Sequence, residues 1–258
     1  MDAQTKGTPK LRIEFIGMAF ALAIGQIGLE IGDFFYKDGG HSLLDFPYVL
    51  SHLILCIYII SSSWIGWQTS MSQGNLEALK DPFSISFVIL LIDLFLVICY
   101  FSLVKSVENL LPVKEAGKEA MTKRAPESVY GVMWSLIIFG SYFVWDIFSK
   151  LIVEDPISHK AQVTAESQEK FLKRGLQSLG CFIITLILIR PMTSGKAPSQ
   201  IVFTDVALFF TFVLFRGLKC FKLIGHEYKR TKTFQYGWYI FFPAIGLIAT
   251  VILYYVIL

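Results

Sequence analysis

Seven apolar stretches, at about 11–35, 46–69, 83–105, 129–151, 175–192, 201–222 and 235–258, follow one another with connections too short to hold a soluble domain. Each is close to the roughly 20 residues that a helix needs to cross the hydrocarbon core of a bilayer. Lipid offers backbone groups no partner, so a single segment can enter it only as a helix that satisfies its own N–H and C=O groups. The sequence therefore predicts an all-α, polytopic membrane helix bundle with seven transmembrane helices and residues 1–258 as a single transmembrane domain. The fifth stretch is the shortest. Composition agrees, because 54% of residues are hydrophobic and only 17% are charged, a balance that a soluble domain of this length does not have. The lipid bilayer is thus the first expected partner.

The two longest connections, 106–128 and 152–174, carry Glu and Lys at spacings that suit short surface helices, with Pro112, Pro126 and Pro156 near their ends. The formal net charge of +3 is small and dispersed, so no nucleic-acid partner is expected. Cys56, Cys99, Cys181 and Cys220 lie in or at the ends of apolar stretches and form no redox or metal pair. His41, His52, His159 and His226 are equally scattered, so neither a metal nor a cofactor is expected.

Orientation follows from the distribution of Lys and Arg, whose excess marks the cytoplasmic side. With the N-terminus inside, fourteen basic residues fall in cytoplasmic segments and eight on the opposite side, five of those in the 105–124 segment. A multi-pass plasma (inner) membrane protein with a cytoplasmic N-terminus is the expectation. Trp64 and Trp67 close the second stretch, while Trp238, Tyr239, Tyr254 and Tyr255 lie toward the ends of the last, where amphipathic rings settle among headgroups. Pro243 is expected to kink that last helix.

The first stretch carries a second pattern. Gly17, Ala21, Gly25, Gly28 and Gly32 recur at steps of three or four and so share one sector of a helix, with Glu14 at its base. Small faces let backbones approach, so this sector is expected to be a helix-packing seam and a surface through which a homo-oligomer could form. Leucine at Gly25 or Gly28 would then disrupt folding or assembly.

Ionisable residues inside apolar stretches are the most informative, since they are costly in hydrocarbon and face a partner or a cavity. Ser86, Asp93 and Tyr100 share a face of the third stretch, with Asp93 near its middle, and they predict either a polar lining or a single interhelical hydrogen bond. Asp205 and Arg216 are eleven residues apart, almost eclipsed on one helix face, with Lys219 close to the same line. The topology pairs Asp205 with Arg190 toward one leaflet and Asp146 with Arg216 toward the other. In the second stretch His52, Cys56 and Ser63 share a face, and the hydroxyls of Ser51 and Ser61–Ser63 either line a wet cavity or bond their own helix carbonyls.

Three functions fit these residues. The first is a channel or transporter for a small cation or proton, in which Asp93, Ser86, Tyr100, His52, Asp146, Arg216, Asp205, Arg190 and Glu14 form the polar network. The second is a non-catalytic membrane subunit or effector acting through protein or lipid contacts. The third is an intramembrane lipid-modifying enzyme. No catalytic residues are assigned, for the chain has no Gly-x-Ser-x-Gly elbow and no phosphate-cradling Gly-x-x-x-x-Gly-Lys loop, and the last stretch has no lysine for a Schiff base.

Overall fold

Eight α-helices carry nearly all of the residues that the computed structural model describes, which are 8–37, 46–73, 84–110, 129–154, 161–192, 198–223 and 233–257. They are α1 (Thr8–Lys37), α2 (Pro47–Gln73), α3 (Ile85–Lys105), α4 (Val129–Asp146), α5 (Ala165–Arg174), α6 (Leu176–Met192), α7 (Pro198–Leu223) and α8 (Thr233–Ile257). A 3-10 turn, Ser106–Leu110, extends α3, and a π turn, Ile147–Leu151, extends α4. Val153–Glu154 and Ala161–Gln162 form a two-residue antiparallel pair beside that π turn. The fold is an all-α membrane helix bundle.

Six segments are long and apolar enough to cross a bilayer: Glu14–Phe35, Pro47–Gln68, Ile85–Glu108, Val129–Leu151, Ala165–Leu188 and Ser199–Lys219. A shorter apolar run, Ile240–Val256, lies in α8. The fifth segment differs from the sequence expectation of 175–192. It begins in α5, whose start is fixed by a reciprocal cap in which Ser167 N–H donates to Thr164 Oγ1 and Thr164 N–H to Ser167 Oγ. At the joint to α6, a Cβ on Gly175 would stand 2.4 Å from the Phe171 ring, so the tight passage between the two helices needs glycine.

Cross-helix contacts fix the directions of the helices. Lys105 at the end of α3 meets Glu30 near the end of α1 (3.3 Å), so these two run parallel. His52 near the start of α2 meets Asp205 near the start of α7, and Asp146 at the end of α4 meets Lys219 near the end of α7. Phe203 of α7 packs on Tyr254 of α8, placing the end of α8 with the start of α7. The bundle thus has an N face, where α1 begins and α4 and α7 end, and a C face, where α1, α3 and α8 end.

The core is built on α2, α4 and α7. Phe139 stacks on Phe212 with ring centroids 4.2 Å apart and meets Phe215 edge-on at 5.4 Å, and Ile59, Ile138 and Leu208 are buried at the same levels. Aromatic pairs of this kind add about 0.5–1.5 kcal/mol beyond the area they bury. Outward-facing residues are as apolar as inward ones, with Leu29, Ile187 and Val256 largely exposed, the pattern of a helix bundle bathed in hydrocarbon.

The first helix does not pack as its small residues predict. Its buried face is Ile16, Phe20, Ala23, Ile27, Glu30 and Phe34, at alternating steps of four and three, and Phe20 lies against Trp64 and Tyr100. Of the small-residue sector, Gly17 touches Trp64, whereas a Cβ at Gly25, Gly28 or Gly32 would meet nothing within 4 Å and Ala21 is exposed. Large apolar side chains bury more area per contact and take the inner face. Glu14 is exposed too.

Candidate functional site

At the C face, four helices converge on one imidazole. His52 stands in the second turn of α2, where its Nδ1 lies 3.2 Å from Asp205 Oδ1 and its Nε2 lies 3.1 Å from the Leu103 carbonyl oxygen and 3.0 Å from Ser106 Oγ. Ser106 in turn donates to the Leu103 carbonyl at 2.6 Å. Asp205 Oδ2 accepts from the Ser51 hydroxyl at 2.7 Å, and Ser51 Oγ also stands 3.0 Å from the Tyr48 carbonyl oxygen. The pair is sealed, His52 being 2% and Asp205 3% exposed. The helix α4 closes over it through Gly131, where a Cβ would stand 3.2 Å from His52 Cε1 and 3.9 Å from Asp205 Oδ1. A glycine here lets α4 press its backbone against the ring.

Beneath that pair, one turn along α4, Ser135 is fully buried, and its Oγ has no hydrogen-bond partner among the described residues. The phenylalanine layer follows. Below it the Tyr142 hydroxyl meets the Tyr100 hydroxyl at 2.8 Å, Ser63 Oγ in a short contact, and Arg216 Nη2 at 3.4 Å. The Arg216 guanidinium lies over the rings of Tyr142 and Phe215, with centroids 5.8 and 5.5 Å away, and against Gly66, where a Cβ would stand 2.0 Å from Nη1. Weak hydration lets a guanidinium accept aromatic faces as partners.

The N-face cluster is organised around Asp146, which is 1% exposed. Lys219 Nζ donates to its Oδ2 at 2.5 Å, Lys150 bonds its Oδ1, and Ser178 of α6 also donates to Oδ2. Lys150 lies on the π turn, four residues beyond the carboxylate, and its ammonium also lies over the Trp145 ring. Both lysine side chains keep slight exposure, 16% and 18%.

Of the two ion pairs expected from the sequence, the structure replaces one, Asp146 with Arg216. Asp205 is held by His52 and Ser51, and the side chain of Arg190 lies outside the described residues. Asp146 is held by Lys219 in place of Arg216, because the shorter, unbranched lysine one turn further on reaches it, while the bulky guanidinium fits the aromatic pocket beside Gly66. The stripe of Ser86, Asp93 and Tyr100 is divided as well. Asp93 is buried a third of the way along α3, accepting from Trp67 Nε1–H at 3.2 Å, while Tyr100 joins Tyr142. Most hydroxyls in the helices bond their own carbonyls, as Ser62 does to Ile59 and Thr211 to Ala207. Ser63 instead reaches Tyr142 of α4, and Ser51 reaches Asp205 of α7 as well as its own helix at Tyr48.

Sequence reasoning missed Ser106, Tyr142, Lys150, Ser178 and the pair of Glu30 with Lys105. Lys150 stands at i+4 from Asp146 and Lys219 at i+3 from Arg216, so both were open to a helical-spacing argument. Nothing in the local sequence marks Tyr142 or Ser178. Among the described residues no group of three His, Cys, Asp or Glu side chains could hold a metal ion.

This arrangement is that of a multi-pass membrane protein with titratable groups buried between its helices. Comparison with protein-family models, with curated proteins and with solved structures gives no match.

Proposed function

We propose that the chain is a membrane transport protein for a proton or small cation, with α7 as the helix that carries the functional charges. One observation carries this reading: α7 presents Asp205 to His52 at the C face and Arg216 and Lys219 to Tyr142 and Asp146 at the N face, with a closed apolar layer between. Ionisable groups inside membrane helices are costly to keep there and face partners, cavities or ion and proton paths. Ser135, buried and unbonded between the two clusters, is the group that a water entering the layer would meet first. The plasma membrane as location and a cytoplasmic N face belong to the same proposal, on the distribution of Lys and Arg.

Reconstitution into liposomes tests it. Under an imposed pH, sodium or potassium gradient, wild-type vesicles are expected to dissipate at least one of the gradients faster than empty vesicles. The Asp205→Asn protein, inserted to the same level, is expected to lose that flux. Wild-type rates equal to those of empty vesicles for every cation would remove this reading. The non-catalytic subunit would then lead, and it has its own support in the open small-residue sector of α1, where a second copy or another membrane helix could lie at Gly25 and Gly28.

A further inference from the structure

The hydrogen-bond partners of His52 determine how many protons its site holds. The Leu103 carbonyl oxygen is an acceptor only. Ser106 has a single hydroxyl proton, and its Oγ stands 2.6 Å from that carbonyl, a contact that requires the proton to lie between the two oxygens. Ser106 then has only lone pairs to offer Nε2. With two acceptors at 3.0 and 3.1 Å, Nε2 must carry a proton.

The same count applies on the other side of the ring. Nδ1 faces Asp205 Oδ1 at 3.2 Å, and the Ser51 hydroxyl is spent on Oδ2 or on the Tyr48 carbonyl. If Nδ1 and Asp205 were both bare, a nitrogen lone pair would face a carboxylate oxygen at 3.2 Å, and the sealed site would hold a negative charge that no cation among the described residues compensates. Such a charge is strongly unfavourable away from water. A second proton removes both problems, on Nδ1 as an imidazolium–carboxylate pair or on Asp205 as a carboxylic acid beside a neutral ring.

We propose that His52 and Asp205 together form a proton-binding site that is loaded in this structure, with the bound proton shared between Nδ1 and Oδ1 and the pair electrically neutral. Binding makes one N–H or O–H bond and breaks none in the protein. The titratable or polar groups that face the ring among the described residues are Asp205 from α7, Cys56 and Ser51 from α2 and Ser106 from the turn after α3, while α4 contributes only the backbone at Gly131. No lysine or arginine among the described residues touches the pair to replace the proton's charge, so unloading requires an opening that admits water or another cation. The proposal rests on the transport reading only for the use made of the proton; the count itself is a property of the resting protein.

Nitrogen NMR on protein with isotope-labelled histidine, in bilayers near neutral pH and with no gradient, reads the count directly. His52→Gln assigns the His52 signals among the four histidines, and the carbonyl stretch of a protonated carboxyl, absent in Asp205→Asn, reports Asp205. The expected result is either a doubly protonated His52 ring with ionised Asp205, or a ring protonated at Nε2 with a protonated Asp205. In Asp205→Asn the ring should be neutral, with its proton on Nε2. A neutral wild-type ring with bare Nδ1 beside an ionised Asp205 overturns the proposal, as does a doubly protonated ring that stays doubly protonated in Asp205→Asn. If Asp205→Asn does not fold, the wild-type spectra and Asp205→Glu, which keeps the acid, still give the count. An unloaded pair in a protein that transports would place the proton site elsewhere, and a loaded pair in a protein without flux would leave the site standing while ending the transport reading.

Discussion

The two buried charge clusters at opposite ends of α7 solve the same physical problem by different means. At the C face an acid meets a histidine, a partner that can shed its own charge, and the pair is closed off from solvent. At the N face an acid meets two lysines, which keep a little exposure at the edge of the bundle. One cluster can change its charge where it stands. The other is an anchor in which two basic side chains hold one carboxylate, with flexible stems that let each reach toward the interface.

Removing the acid at each end is the sharpest way to break this comparison. Asp146→Asn leaves two lysines without a counter-charge and is expected to destabilise by about 3–5 kcal/mol, the cost of orphaning a buried charge. Asp205→Asn should cost less, about 2 kcal/mol, because His52 can become neutral and keep its bonds to Leu103 and Ser106. Thermal unfolding in one detergent, both variants beside wild type, checks the order. An equal loss at both ends would make the C-face pair another fixed anchor.

Glycine substitutions probe the same contrast through packing. Gly131→Ala sets a methyl 3.2 Å from a ring held on both nitrogens and is expected to cost about 1–3 kcal/mol, as overpacking does. Gly66→Ala drives a methyl into the Arg216 guanidinium and pushes it off Tyr142 and Phe215, and is expected to cost about as much. Gly28→Leu on the open sector of α1 should leave the melting temperature of the monomer unchanged. If it instead shifts the oligomeric state in size-exclusion chromatography, that sector is an assembly surface.

The smallest effect on stability is expected at Ser135. Removing an unbonded buried hydroxyl leaves no partner orphaned, so Ser135→Ala should lie within about 0.5 kcal/mol of wild type or slightly above it. Its flux should fall, however, if the hydroxyl relays between the clusters. Stability and flux measured on the same preparation separate the two roles.

Much of this molecule was legible in its sequence because lipid imposes a simple rule, that long apolar segments become helices. The helical bundle, its antiparallel order and the inward placement of Asp93, Asp146 and Asp205 follow from that rule, whereas the fifth segment begins earlier than expected and the last holds only a shorter apolar run. The partners of those acids did not, since they depend on the rotation of each helix and on side-chain length. Lysine at 219 and arginine at 216 differ by one turn, and only the aromatic pocket of Tyr142 and Phe215 decides which of them reaches Asp146. The seam in α1 misled for a related reason: glycine spacing identifies a face that can be approached closely, not the neighbour that approaches it. Ile16, Phe20, Ala23 and Ile27 filled the inner side.

The layer of Phe139, Phe212, Leu208 and Ile59 does more than fill space. Asp205 and Arg216 are about 16 Å apart along α7, and with aromatic carbon between them there is little water to screen one from the other. At an effective dielectric of about 20, a unit charge gained at one end shifts the energy of a charge at the other by roughly 1 kcal/mol. The two faces are thus in electrical communication without any change of shape, through the same apolar packing that keeps them apart.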